Sequence, residues 1–247
     1  MKYNIVKRLI EVSESMVFPL RCPVCDKPVP YCDRQDGICK ECIRKLPFIN
    51  SDRCYKCGRQ LFSGEKEWCE DCIKTEKLHV YKSGMSLCSY DDVMRESIYR
   101  IKYGGRREYA VTYGWIMAKK FRDVLEQWNA DCIVPVPLHP KRQRERGYNQ
   151  ASILARTFGK ACNIPVYENC VMRICNTPPL KSMTPFQRQN NLKKAFKIGR
   201  NDVKLGITVV IDDIYTTGST IDAISKVLIE AGASQVYFLT LAIGEDF

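Results

Sequence analysis

Near the C-terminus the chain reads Val-Val-Ile-Asp-Asp-Ile-Tyr-Thr-Thr-Gly-Ser-Thr over residues 209–220. An apolar run ends in two adjacent carboxylates, Asp212 and Asp213. Uncharged hydroxyls follow on Thr216, Thr217, Ser219 and Thr220, with Gly218 among them. The pattern predicts a strand, a tight turn and a helix that starts near Ser219 or Thr220, either of which can cap it. Backbone N–H groups at such a turn converge on one point, and the helix dipole adds positive potential there. The turn is therefore suited to an anion, in particular a monophosphate. The Gly-Lys-Ser/Thr of a Walker loop is missing, which argues against a nucleoside triphosphate. The two acids would repel a phosphate in contact with them, but they suit vicinal hydroxyls. A ribose 5-phosphate meets both demands. The plainer alternative is an acidic pair capping a turn ahead of an ordinary helix.

A second stretch, Pro135-Val-Pro-Leu-His-Pro-Lys-Arg-Gln-Arg-Glu-Arg-Gly-Tyr-Asn-Gln150, carries Lys141, Arg142, Arg144 and Arg146. Four cations in six residues follow a short apolar run, as in a loop leaving a strand end. Arginine binds phosphate bidentately, although a solvated basic loop would look the same. His139 sits in this loop beside a proline and reads as structural. No residue stands out as a general base aimed at an acceptor.

Eight of the fourteen cysteines fall into four Cys-x-x-Cys pairs: Cys22/Cys25, Cys39/Cys42, Cys54/Cys57 and Cys69/Cys72. Two such knuckles complete a tetrahedron around zinc. The spacing suits two successive ribbons, the first pair joining the second and the third joining the fourth; a crossed pairing is also compatible. All-thiolate sites leave no position for a catalytic water, so both zinc ions are expected to be structural. Disulfides are the alternative, disfavoured in a reducing compartment. Cys32, Cys88, Cys132, Cys162, Cys170 and Cys175 lack such spacing and are expected to be small buried residues.

The formal charge is +11 over 247 residues. Eight thiolates and two zinc ions would lower it to about +7. That balance still favours a polyanionic partner, though a solvated basic surface gives it too. No apolar run reaches the roughly 18 residues that span a bilayer. The N-terminus lacks a signal-peptide core and reads as an amphipathic helix with Ile5, Leu9, Val12 and Met16 on one face. A cytoplasmic protein is expected.

The elements that must position these residues follow from periodicity. Strands are expected at 84–90, 132–137, 207–211 and 235–243. Helices are expected at 91–103, 108–128, 147–163 and 220–231. Strands alternating with helices predict an α/β domain, a parallel sheet with crossover helices, whose ligands sit at the carboxyl ends of the strands. Three parts are expected: the helix at 1–20, a double zinc ribbon at 21–76, and the sheet domain at 77–247.

The stretch at 209–220 resembles the phosphoribosyl-pyrophosphate motif of type I phosphoribosyltransferases. The stretch at 135–150 resembles a signature of the ComF family, the competence-associated branch of that superfamily. So do Lys102-Tyr103 before a glycine turn, and the segment from Arg173 to Phe196 with Thr177, Arg188, Asn191 and Ala195. The cysteine-rich N-terminus is similar to the double zinc ribbon of that family. The resemblance implies a type I phosphoribosyltransferase-like sheet. It places the 5-phosphate on Thr216, Thr217, Gly218, Ser219 and Thr220, and the ribose hydroxyls on Asp212 and Asp213. It matches Arg142, Arg146 and, less specifically, Lys102 to phosphate contacts, with Mg²⁺ bridging ligand oxygens.

It further implies a role in DNA uptake during natural transformation, on single-stranded DNA and with a helicase partner. Tyr99, Tyr103 and Tyr148, interleaved with the basic runs, suit base stacking, and they suit a core equally well. A phosphoribosyltransferase of nucleotide salvage is the second reading, and a non-reacting sensor of the sugar phosphate is the third. Binding is better supported than turnover.

Overall fold

The computed structural model describes residues 19–50, 52–61, 67–75, 79–175, 195–199 and 203–244. Ile5, Leu9, Val12 and Met16 of the expected N-terminal helix lie outside them, as do Thr177, Arg188 and Asn191. The chain forms two compact units, residues 1–46 and 47–247.

In the first unit Cys22, Cys25, Cys39 and Cys42 come together. A bridge between Arg21 and Pro28 closes the first knuckle. The short helix α1 (Lys40–Ile43) starts from Cys39. Asp33 accepts from the Lys40 N–H at 3.0 Å and ties the two knuckles.

The second unit opens with the other ribbon, in which a bridge between Arg53 and Gln60 precedes α2 (Glu70–Thr75). Then come β1 (Gly84–Ser89), α3 (Asp92–Tyr103), α4 (Arg107–Trp128), β2 (Cys132–Pro135), α5 (Pro140–Arg146) and α6 (Gln150–Cys162). The short strands β3 (Val171–Arg173) and β4 (Phe196–Ile198) pair antiparallel. The chain ends in β5 (Ile207–Tyr215), α7 (Ser219–Glu230) and β6 (Gln235–Ile243).

Four strands form one parallel sheet in the order β1–β6–β5–β2. Its strands are apolar runs because helices flank it; in β6 every residue after Gln235 is buried. Helix α4 is held by one stripe of buried residues at a spacing of four: Tyr109, Tyr113, Met117, Phe121 and Leu125. In α7 the buried stripe is Ile221, Ile224 and Leu228. From β5 the chain order runs to β6 on one side, while β2 lies on the other. Open α/β sheets bind their ligands at such a reversal, which here lies at the carboxyl ends of β2 and β5.

Three local expectations change. Strand β5 does not stop at Ile211 but carries both acids to Tyr215, because its ladder on β6 continues to Ile243. The basic stretch 140–146 is the helix α5 rather than a loop: Pro140 takes its first turn and His139 Nδ1 accepts from the Lys141 N–H at 3.2 Å. Of the six cysteines outside the Cys-x-x-Cys pairs, Cys88, Cys132 and Cys170 are buried and Cys162 is half-buried, but Cys32 and Cys175 are exposed. Among the described residues no helix is long and apolar enough to cross a membrane.

Candidate anion and sugar site at the end of β5

Asp212 and Asp213 are consecutive residues of β5 whose carboxyls interact with each other. Asp213 is buried, whereas Asp212 is half-buried. Lys102, near the end of α3, places Nζ 2.5 Å from Asp213 Oδ2 as an ion pair. Gln150, the first residue of α6, donates from Nε2 to Asp213 Oδ1 at 3.4 Å. Burial works against the Asp213 charge, but Lys102 outweighs it and holds that carboxyl below its usual range. Lys102 also acts on Asp212, but there it is weaker than the effects that raise the pKa. Burial first, and the Asp213 charge second, push its carboxyl well above the usual range. Its Oδ1 accepts from the Asp213 N–H at 2.8 Å. The two carboxyls are thus shifted in opposite directions, Asp213 toward its charged form and Asp212 toward its neutral form.

The loop between β5 and α7 is short. Thr216 and Thr217 are exposed, Ser219 and Thr220 half-buried. The helix cap is Gly218, in the left-handed region at φ 73°, with no side-chain cap bond; neither Ser219 nor Thr220 caps it. A Cβ at Gly218 would lie 2.6 Å from the Tyr215 hydroxyl and 3.0 Å from that of Tyr81, so the turn admits no side chain there. The Thr217 and Ser219 hydroxyls meet at 2.9 Å. The loop is open to solvent above a packed floor.

Helix α5 turns Arg142 and Arg146, four residues apart, to its half-buried side, while Lys141 and Arg144 are exposed. Arg146 donates to Gln150 Oε1 and lies 5.4 Å from the Tyr103 ring centre. One polar chain thus runs from Arg146 through Gln150 and Asp213 to Lys102. Arg173, at the end of β3, is a further cation of the site; burial and then its neighbour Arg142 lower its pKa, while Asp212 opposes them. Periodicity did not single out Gln150 or Arg173 as site residues. Gln150 looked like an ordinary helix-starting amide, and Arg173 sits on a three-residue strand too short for a pattern.

Tyr99 and Tyr103 are 61% and 68% exposed, with ring centres 5.0 Å apart, and so are surface rather than core. Tyr148 is half-buried and donates to the Ile101 carbonyl. A separate open cavity of about 590 Å³ includes Arg107, Glu108, Arg156 and Glu168 in its lining but neither acid of the pair nor the loop 216–220.

The thiolates group without crossing, Cys22, Cys25, Cys39 and Cys42 in one cluster and Cys54, Cys57, Cys69 and Cys72 in the other. In each cluster the ligand atoms all lie within 4.8 Å of one another. Four sulfurs around a zinc at about 2.3 Å would stand roughly 3.8 Å apart, so both clusters fit the ion. The double zinc ribbon domain family matches residues 14–73. Competence protein F of Haemophilus influenzae is 28% identical over 216 residues, covering 84% of this chain and 91% of that protein. The chain is a relative of the ComF competence proteins.

Competence protein ComFC of Bacillus subtilis is likewise 28% identical, over 83% of this ComF relative and 84% of its own length. The DNA utilization protein YhgH of Escherichia coli is 26% identical, over 81% and 87%. Two solved structures are also similar to the ComF relative. A purine phosphoribosyltransferase from Pyrococcus horikoshii is 18% identical over 56% of this chain and 73% of that one, with a TM-score of 0.33. An adenine phosphoribosyltransferase is 14% identical over 59% and 75%, with a TM-score of 0.36.

Proposed function

We propose that this ComF relative binds a ribose 5-phosphate group, as phosphoribosyl pyrophosphate or a 5′-phosphorylated DNA end, together with single-stranded DNA, and acts in DNA uptake. The observation that carries the reading is the open, glycine-capped turn at the head of α7 beside an acidic pair and inward-facing arginines. The role in DNA uptake is drawn from relatives named for competence and DNA utilization.

In this reading the phosphate sits on the amides and hydroxyls of Thr216 to Thr220. Asp212 accepts from a ribose hydroxyl. Asp213 stays paired with Lys102, so Lys102 acts on the phosphate through the field of that pair more than by contact. Arg142 and Arg146 meet the pyrophosphate or the strand backbone, and Tyr99 and Tyr103 offer stacking faces. Mg²⁺, bound mainly by ligand oxygens, would add charge neutralisation there, with Asp212 as the nearest free carboxyl. A transfer reaction would displace pyrophosphate from the anomeric carbon, and the arginines would stabilise the leaving group. His139 Nδ1 accepts from the Lys141 N–H at the start of α5, a structural role. The working place of such a protein is the cytoplasm, next to an uptake helicase.

The test is binding of a 5′-phosphorylated oligonucleotide at several salt concentrations. Replacing both Arg142 and Arg146 by Ala should weaken binding and flatten the log–log salt slope by about 1.4. Removing the 5′-phosphate should weaken what remains. Unchanged affinity in the double variant, or rapid pyrophosphate release with a single free base, would overturn the reading in favour of nucleotide salvage.

A further inference from the structure

The floor of the anion loop is made by residues that the loop's own chemistry does not require. Tyr81 and Tyr215 meet through their hydroxyls at 2.7 Å beneath Gly218, and both are buried. The Tyr215 ring stacks on Phe238 at 4.8 Å, and the Tyr81 ring meets the same Phe238 edge-on at 5.1 Å. One residue away, the Val80 N–H donates to Asp222 Oδ1 at 2.7 Å. Asp222 lies in the first turn of α7, where its own N–H donates to the Gly218 carbonyl at 2.8 Å. Lys226 closes on the other Asp222 oxygen at 2.7 Å. Residues 80 and 81 therefore hold both the bend of the loop and the start of its helix.

That segment is in turn held by the second cysteine ribbon. Lys56 lies between Cys54 and Cys57 and is buried. Its Nζ donates to the Tyr81 carbonyl at 2.5 Å and the His79 carbonyl at 3.4 Å, and stands 4.9 Å from the Tyr81 ring centre. The Lys56 carbonyl accepts from the Gly84 N–H at 2.9 Å, at the start of β1. Gly58 packs so closely on β1 that a Cβ would fall 2.5 Å from the Gly84 oxygen. Cys54, Cys57, Cys69 and Cys72 belong to one buried cluster with Tyr81, Tyr215, Ile221 and Phe238.

We propose that the second cysteine ribbon is a positioning element of the anion loop: zinc on Cys54, Cys57, Cys69 and Cys72 fixes Lys56, Lys56 fixes residues 79–81, and these set Gly218 and the first turn of α7. The ligand-facing role rests on the sugar-phosphate reading above; the mechanical link does not. A knuckle so small owes its shape to its metal. Loss of that metal frees a buried lysine and loosens a loop that must be pre-shaped to bind. The first cluster belongs to the other unit, residues 1–46.

The test is hydrogen–deuterium exchange of the full chain, read in peptides covering 79–82 and 218–224, with zinc content measured alongside. Cys72→Ser should cost one zinc and raise exchange in both peptides at least tenfold, leaving the β6 core protected. Cys39→Ser should also cost one zinc but leave both peptides unchanged. Tyr81→Phe keeps the ring and both metals, and should raise exchange at 218–224 about fivefold by loss of one buried hydrogen bond. Ribose 5-phosphate affinity by calorimetry should fall in parallel in Cys72→Ser and Tyr81→Phe. Unchanged exchange in Tyr81→Phe, or an equal response to Cys39→Ser, overturns the proposal, and Tyr81→Phe decides it even if Cys72→Ser does not fold. If the wild type fails to bind ribose 5-phosphate while the loop still responds to Cys72→Ser, the sugar-phosphate reading falls and the coupling stands.

Discussion

Asp212 and Asp213 share a strand end but not an environment. Lys102 makes the difference, since it closes an ion pair with Asp213 and acts more weakly on Asp212. A carboxyl whose folded pKa is raised contributes stability below its unfolded value near 4 and loses it as pH rises through the folded pKa. Asp212 is of that kind. Asp212→Asn should therefore raise Tm at neutral pH by roughly 2–4 °C. Its advantage over the wild type should shrink as pH falls toward 4, and the same variant should lose ribose 5-phosphate binding. A Tm profile from pH 4 to 8 checks this; an Asp212→Asn protein less stable than the wild type at pH 7 would contradict it. Asp213 has the opposite sign: its contribution is present above its unfolded value and fades as pH falls through its lowered folded pKa. Lys102→Met leaves that buried carboxylate without its counterion and should cost about 3–5 kcal/mol in urea unfolding.

Among the elements, α5 and β5 show where patterns fail. Helix α5 has no buried residue, so apolar periodicity could not reveal it; a proline at its start and a histidine cap define it instead. Strand β5 carries two acids past its apolar run, and only pairing with β6 keeps them extended. The turn after it was legible because its glycine does a local job. Gly218→Ala must take φ 73° and crowd the Tyr215 hydroxyl. It should cost about 1–3 kcal/mol and abolish sugar-phosphate binding while leaving both zinc ions bound. Calorimetry with metal analysis tests that expectation, and retained binding would mean that the loop shape does not matter.

In the molecule as a whole, the two cysteine clusters are alike in spacing but not in company. Cys54, Cys57, Cys69 and Cys72 share a core with the sheet, whereas the first cluster folds within residues 1–46. Chelation should therefore melt the first ribbon without touching the sheet, and lower the Tm of the larger unit by about 10 °C through the second. Chelation of a Cys39→Ser protein should still produce that drop, as followed by near-ultraviolet circular dichroism.

Spacing alone settled what is local. Cys-x-x-Cys knuckles, the strand–turn–helix around Asp212 and Gly218, and the stripe of α4 all arise from residues within a few positions of one another, where backbone geometry fixes the relation. The tertiary structure decided which cation meets which acid, where Arg173 and Gln150 enter, and what lies beneath the loop. Gln150 reaches Asp213 across 63 residues, Tyr81 meets Tyr215 across 134, and Val80 meets Asp222 across 142. Sheet order and helix packing bring such partners together, and no period in the sequence encodes them.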